Sequence, residues 1–114
     1  IFRVNWFRKD SDGNFIWPGF GENMRILKWI VDRVKGEVSA KENSFGLVPS
    51  FEDITWTGLE FDSDKFNSLI EIPNSEGLKE IKEVKEHFDR FEGFLPKELE
   101  HQRVQLEERL LKEI

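Results

Sequence analysis

The chain has 114 residues, 38% hydrophobic and 35% charged, a balance that allows one small core beneath a heavily solvated surface. It contains no cysteine, which excludes disulfides and thiolate metal sites, and no run approaches the roughly 20 apolar residues of a membrane-spanning helix. The net charge of -6 is unevenly spread: residues 1–36 carry seven Lys or Arg against four acids, and residues 37–114 carry ten against nineteen. An acidic tail of that weight repels a polyanion, so extended nucleic-acid binding is not expected, nor, without an apolar span, is a membrane partner, whereas the basic, aromatic first third can still accept a small nucleotide. With no secretory leader at its start, the sequence reads as cytoplasmic.

In chain order, Ile1-Phe2-Arg3-Val4-Asn5-Trp6-Phe7 alternates as a half-buried strand does and begins without an initiator Met, so truncation of a longer protein is expected. Asp10-Ser11-Asp12-Gly13 has the chemistry of a hairpin tip, and Phe15-Ile16-Trp17 reads as the returning strand, ended by Pro18 and Gly19. Asn23 is a candidate N-cap for a helix with the stripe Met24, Leu27, Ile30, Val31 and Val34 and a C-terminal Gly36. Trp29 falls at the edge of that stripe, where its ring is expected to pack on a neighbouring segment with its N–H near water.

Between Glu37 and Glu60, the short apolar pieces Phe45–Val48 and Ile54–Trp56 predict loops with one or two short strands. Asp62 or Ser63 caps a short helix through Ile70, stopped by Pro73. Ser75 caps a second, with Leu78, Ile81, Val84, Phe88 and Phe91 on one face. Pro96 opens a third, with the stripe Leu99, Leu106, Leu110 and Ile114 and the pair Glu108–Lys112. The fold class is therefore α+β: a short antiparallel hairpin followed by mostly helices, in a single unit whose residues 1–36 form hairpin and helix and whose residues 37–114 form mixed loops and a helical tail.

A purine offers two flat faces and a polar edge, so a site for it needs aromatic rings and an amide or backbone group. Phe7, Phe15 and Phe20 can supply the rings and Asn23 the amide. From the residues alone a second reading stands beside this one: the rings build the apolar side of the hairpin and Asn23 caps the helix. Which edge atoms Asn23 would contact is left open by the sequence.

The run Asn5-Trp6-Phe7-Arg8-Lys9-Asp10, then Gly13, Phe15 and Trp17-Pro18-Gly19-Phe20-Gly21-Glu22-Asn23, resembles in order and spacing the carboxy-terminal part of the GTP-dependent phosphoenolpyruvate carboxykinases. The resemblance is loose at Ser44-Phe45-Gly46-Leu47-Val48-Pro49, faint from about Phe51 to Phe94, and recovers slightly at Leu95-Pro96-Lys97-Glu98-Leu99. It implies a carboxy-terminal fragment of a larger α/β enzyme in which Phe7, Phe15 and Phe20 enclose a guanine and Asn23 contacts its edge, while Trp17 supports the wall. It also implies GTP and GDP as nucleotides, with oxaloacetate and phosphoenolpyruvate bound by other parts of the enzyme. Manganese belongs to the whole enzyme and is not expected on this segment, and gluconeogenesis is the implied role.

The sequence has no phosphate-cradling loop ending in Lys-Ser or Lys-Thr, and His87 and His101, fourteen positions apart among acids, match no usual ligand spacing. The segment alone is thus expected to be inactive. The alternative from another class is an aromatic-rich protein-interaction module without nucleotide binding.

Overall fold

The computed structural model describes residues 1–112, which group into two compact units, the first of residues 1–71 and the second beginning at Ile72. Among the described residues are four α-helices and one two-stranded antiparallel ladder, an α+β composition dominated by helix.

The first unit is organised by aromatic side chains. Trp17, Trp29, Ile54, Phe61 and Phe66 are its buried core, with Trp6, Phe51 and Trp56 packed against them. Trp56 stacks on Phe61 at 5.0 Å and on Phe51 at 5.2 Å between ring centroids, and meets Phe66 edge-on at 5.7 Å. Its indole N–H donates to the Phe51 carbonyl at 2.8 Å, so this half-buried ring packs on the core without orphaning its polar atom. Around that cluster lie α1 (Asn23–Val34), β1 (Lys41–Asn43), β2 (Gly46–Val48) and α2 (Ser63–Ile70).

The punctuation of these elements follows local chemistry. The Asp62 carboxylate accepts from the Lys65 backbone N–H at 2.8 Å and caps α2, as expected. In the ladder Lys41 pairs with Val48, Glu42 with Leu47 and Asn43 with Gly46, and Asn43 Oδ1 accepts from the N–H groups of Phe45 and Gly46 to close the turn. The Arg25 guanidinium donates to the carbonyls of Thr55 and Thr57 at 2.7 and 2.9 Å, pinning the start of α1 to that loop.

Two expectations are corrected. The alternating segment Ile1–Phe7 forms no strand; the pairing is a single antiparallel bridge between Lys9 and Phe15. Its would-be partner is only three residues long and ends at Pro18, which has no N–H to extend a ladder. On α1, the inward side is Ile26, Trp29 and Ile30, whereas Met24, Leu27, Val31 and Val34 are exposed. Trp29 is only 4% exposed, edge-on to Phe2 at 6.1 Å, and its N–H meets no acceptor among the described residues. The larger apolar area of the indole decides which side of the helix is buried.

In the second unit α3 (Asn74–Asp89) packs on α4 (Lys97–Lys112), and Ile81 and Leu110 are its buried apolar side chains. Helix α3 begins at Asn74, with Pro73 rather than Ser75 in the cap position. Leu78, Val84 and Phe88 are half-buried on the expected face, but Phe91 is exposed, as is Leu99 on α4; Ile114 lies outside the described residues. Arg103 is buried on α4 and keeps its charge because Glu100 and Glu107 flank it, with contacts of 2.6 and 3.1 Å.

The Arg103 hydrogen bonds hold the Glu100 carboxyl below its usual range, outweighing the opposing effect of burial. A lowered folded-state pKa contributes stability that is present above the unfolded value and lost as pH falls through the folded value. Glu100→Gln is therefore expected to lower the melting temperature at neutral pH, with the difference from wild type shrinking as the solution is acidified past the glutamate range. In the first unit, Phe66→Ala is expected to cost ~3–5 kcal/mol in urea unfolding followed by tryptophan fluorescence.

Candidate functional site

The aromatic segment before α1 is held by short polar links rather than by a ladder. Asn5 Oδ1 accepts from the Phe7 N–H at 3.0 Å, and Asp10 Oδ1 accepts from the N–H groups of Asp12 and Asn14 at 3.0 and 2.9 Å. Gly13, at φ 82°, makes the tight reversal between them. The Ile16 N–H then donates to the Arg8 carbonyl at 2.9 Å, setting Phe7 and Phe15 side by side with ring centroids 6.0 Å apart. Lys9 Nζ lies 5.3 Å from the centre of the Phe15 ring, over its electron-rich face. Arg8 Nη1 donates to the Leu69 carbonyl at 3.1 Å, tying the segment to the last turn of α2.

After Trp17 the chain turns sharply. Gly19 has φ 130°, a region that L side chains rarely adopt, and its carbonyl accepts from the Glu22 N–H at 3.0 Å. A single 3-10 turn, Phe20–Glu22, runs straight into α1. This shifts the expected helix start: Glu22 takes the cap position and Asn23 is the first helical residue, at φ -62° and ψ -31°. Asn23 therefore does not cap the helix. Its Oδ1 accepts instead from the Trp17 indole Nε1 at 2.7 Å.

All four residues singled out from the sequence face one open cleft of about 770 Å³, lined by Trp6, Phe7, Phe15, Trp17, Pro18, Gly19, Phe20 and Asn23. That volume falls within the roughly 300–1,000 Å³ of small-molecule sites. Phe7, Phe15 and Phe20 are 71%, 58% and 90% exposed, so the rings are not the buried side of a hairpin. Behind them Trp17 is buried and close to Trp6, Trp56 and Phe61, which makes the back wall rigid. The cleft can thus offer flat apolar surface to a planar ligand, with the Asn23 amide as a side-chain hydrogen-bonding group in its lining.

The Trp17 indole N–H and the positive φ of Gly19 had no role at the site in the sequence reading. The Trp-Pro-Gly order was the available signal: proline has no N–H to extend the pairing, glycine permits the turn, and together they bring the amide back over the indole. His87 and His101 stand outside the cleft, and His87 meets the Phe91 ring edge-on at 5.2 Å.

Residues 1–109 match the family described as the phosphoenolpyruvate carboxykinase C-terminal P-loop domain, in its GTP-dependent form. The chain is 40% identical over 111 residues to the cytosolic GTP phosphoenolpyruvate carboxykinase of Gallus gallus. It is 38% identical over 110 residues to the GTP phosphoenolpyruvate carboxykinase of Renibacterium salmoninarum, and 40% identical over 111 residues to that of Chlamydia caviae. Each alignment covers 96% of this chain, which spans about 18% of the length of these relatives. The Gly-rich loop ending in Gly-Lys-Ser or Gly-Lys-Thr that defines a P-loop does not occur in these 114 residues. With a match that runs nearly end to end and similarity of this depth, the chain belongs to the GTP-dependent phosphoenolpyruvate carboxykinase family, within its C-terminal domain.

Proposed function

We propose that this chain supplies the guanine-base subsite of a GTP-dependent phosphoenolpyruvate carboxykinase. The observation that carries the reading is the convergence of three exposed phenylalanines and one oriented amide on a single cleft. Phe7, Phe15 and Phe20 form the stacking surface for the base and Asn23 addresses its edge. Leaving three large apolar rings in water is unfavourable by the area they expose, and a flat base would cover that area.

The relatives' names support GTP as the nucleotide, and the family membership supports the reaction of the whole enzyme. In that reaction oxaloacetate loses CO2 and the resulting enolate takes the γ-phosphoryl group of GTP, giving phosphoenolpyruvate and GDP, a step suited to gluconeogenesis. This chain's part is to hold the base, which fixes the other end of the nucleotide relative to the reacting atoms. Among the described residues no three His, Asp or Glu side chains come together as metal ligands, and manganese is proposed to act elsewhere in the whole enzyme. The phosphate-binding loop and the carboxylated substrates are likewise assigned to other parts of the enzyme, and the segment alone is proposed to be inactive. No described helix is long and apolar enough to cross a membrane.

Fluorescence titration of the whole chain with GDP and with ADP tests the reading, because Trp6 and Trp17 line the cleft. Phe20→Ala is expected to weaken both nucleotides by ~1–3 kcal/mol, the scale of one base-stacking contact. Asn23→Ala is expected to weaken GDP by ~1–3 kcal/mol and leave ADP nearly unchanged. A chain that binds neither nucleotide, or binds both equally, overturns the reading and favours a protein partner for the exposed rings.

A further inference from the structure

We infer that the Trp17 indole N–H dictates which way the Asn23 amide points and thereby sets the base preference of the cleft. The inference rests on the reading of the cleft as a purine-base site, and it assigns control of the discriminating amide to a residue of the back wall rather than to the stacking rings.

The chemistry of the donor decides the orientation. An indole N–H donates and cannot accept, so the amide atom 2.7 Å from Trp17 Nε1 is the oxygen. Turning the amide over would break that bond and set an NH2 donor against an N–H donor in a part-buried position. Neither end of the pair can drift. Trp17 is 4% exposed and its ring lies 5.8 Å from Trp6, 5.9 Å from Phe61 and 6.3 Å from Trp56. Asn23 is fixed by its backbone as the first residue of α1.

With Oδ1 held by the wall, Asn23 presents its Nδ2 amino group to the cleft that it lines. An amino donor complements O6 of guanine, an acceptor, and opposes N6 of adenine, itself a donor. The phenylalanine rings cannot make this distinction, since both purines offer the same π-faces. Trp17 is thus a positioning residue for base selectivity, acting through Asn23.

Isothermal titration of the whole chain with GDP and with ADP, after circular dichroism has shown each variant folded, tests this. Trp17→Phe keeps an aromatic ring and removes the N–H; the preference for GDP over ADP is expected to fall about tenfold or more, with ADP affinity close to its starting value. If Trp17 only supports the wall, both affinities fall together and the ratio survives, which overturns the inference. Asn23→Asp keeps an acceptor for the indole but offers no donor to the base, so preference is expected to shift toward ADP. Retention of GDP preference in Asn23→Asp means the amide oxygen faced the base and also overturns it. Should Trp17→Phe fail to fold, Asn23→Asp decides alone, since it leaves Trp17 in place. Wild-type chain that binds neither nucleotide removes the purine reading and the inference with it. Wild-type preference for GDP that persists in both variants removes the inference alone.

Discussion

The Trp17 indole is committed at both ends, its ring to the hydrophobic core and its N–H to Asn23. The aromatic cluster of Trp17, Trp56, Phe61 and Phe66 gives the first unit a stiff interior, and the Trp17–Asn23 bond carries that stiffness out to the start of α1. Interiors packed at crystal-like density have little freedom to let a large ring move. A side chain anchored to such a ring inherits its position. The rest of the site, including the turn through Gly19 and the placement of Phe20, is arranged around this one fixed contact.

The cleft also shows how a site can be built with almost no regular structure. A single bridge joins Lys9 to Phe15, and the intervening reversal depends on Asp10, whose carboxylate and carbonyl between them accept three backbone N–H groups. Such polar turns fix backbone direction without requiring apolar burial, which leaves Phe7, Phe15 and Phe20 outward and available. Apolar rings kept in solvent by the surrounding backbone are what a stacking surface requires. The second unit has a different device at its centre: Arg103 is buried with its charge intact because two carboxylates on its own helix reach it.

Much of this was legible in the sequence because the signals were local. Asp62 before α2, Pro73 after α2, Pro96 before α4 and Gly36 after α1 act on the residues beside them, and the elements stop or start there. The choice of Phe7, Phe15, Phe20 and Asn23 came from the family resemblance of the Trp-Phe and Trp-Pro-Gly-Phe runs rather than from periodicity, and the structure sets the four around one cleft. What failed to show depended on distant partners. Alternation in Ile1–Phe7 describes a strand only if another strand meets it, and Pro18 removes that partner. The apolar count on α1 favoured Met24, Leu27, Val31 and Val34, while the buried side is decided by Trp29, whose fit depends on Phe2 and the rest of the core. Asn23 has a cap's chemistry, and only the intervening 3-10 turn places it one residue inside the helix, where its side chain serves Trp17 instead.

The central claim is that the three phenylalanines and Asn23 form a guanine-selective base site. The most direct measurement is a two-dimensional 1H–15N NMR titration of the chain with GDP, with ADP as the control. GDP is expected to shift the Asn23 side-chain amide, the Trp17 indole N–H and the backbone amides of Phe7, Phe15 and Phe20 together along one saturable curve, while ADP leaves the Asn23 amide nearly still. Shifts confined to other parts of the chain, or equal responses of the Asn23 amide to both nucleotides, would contradict it.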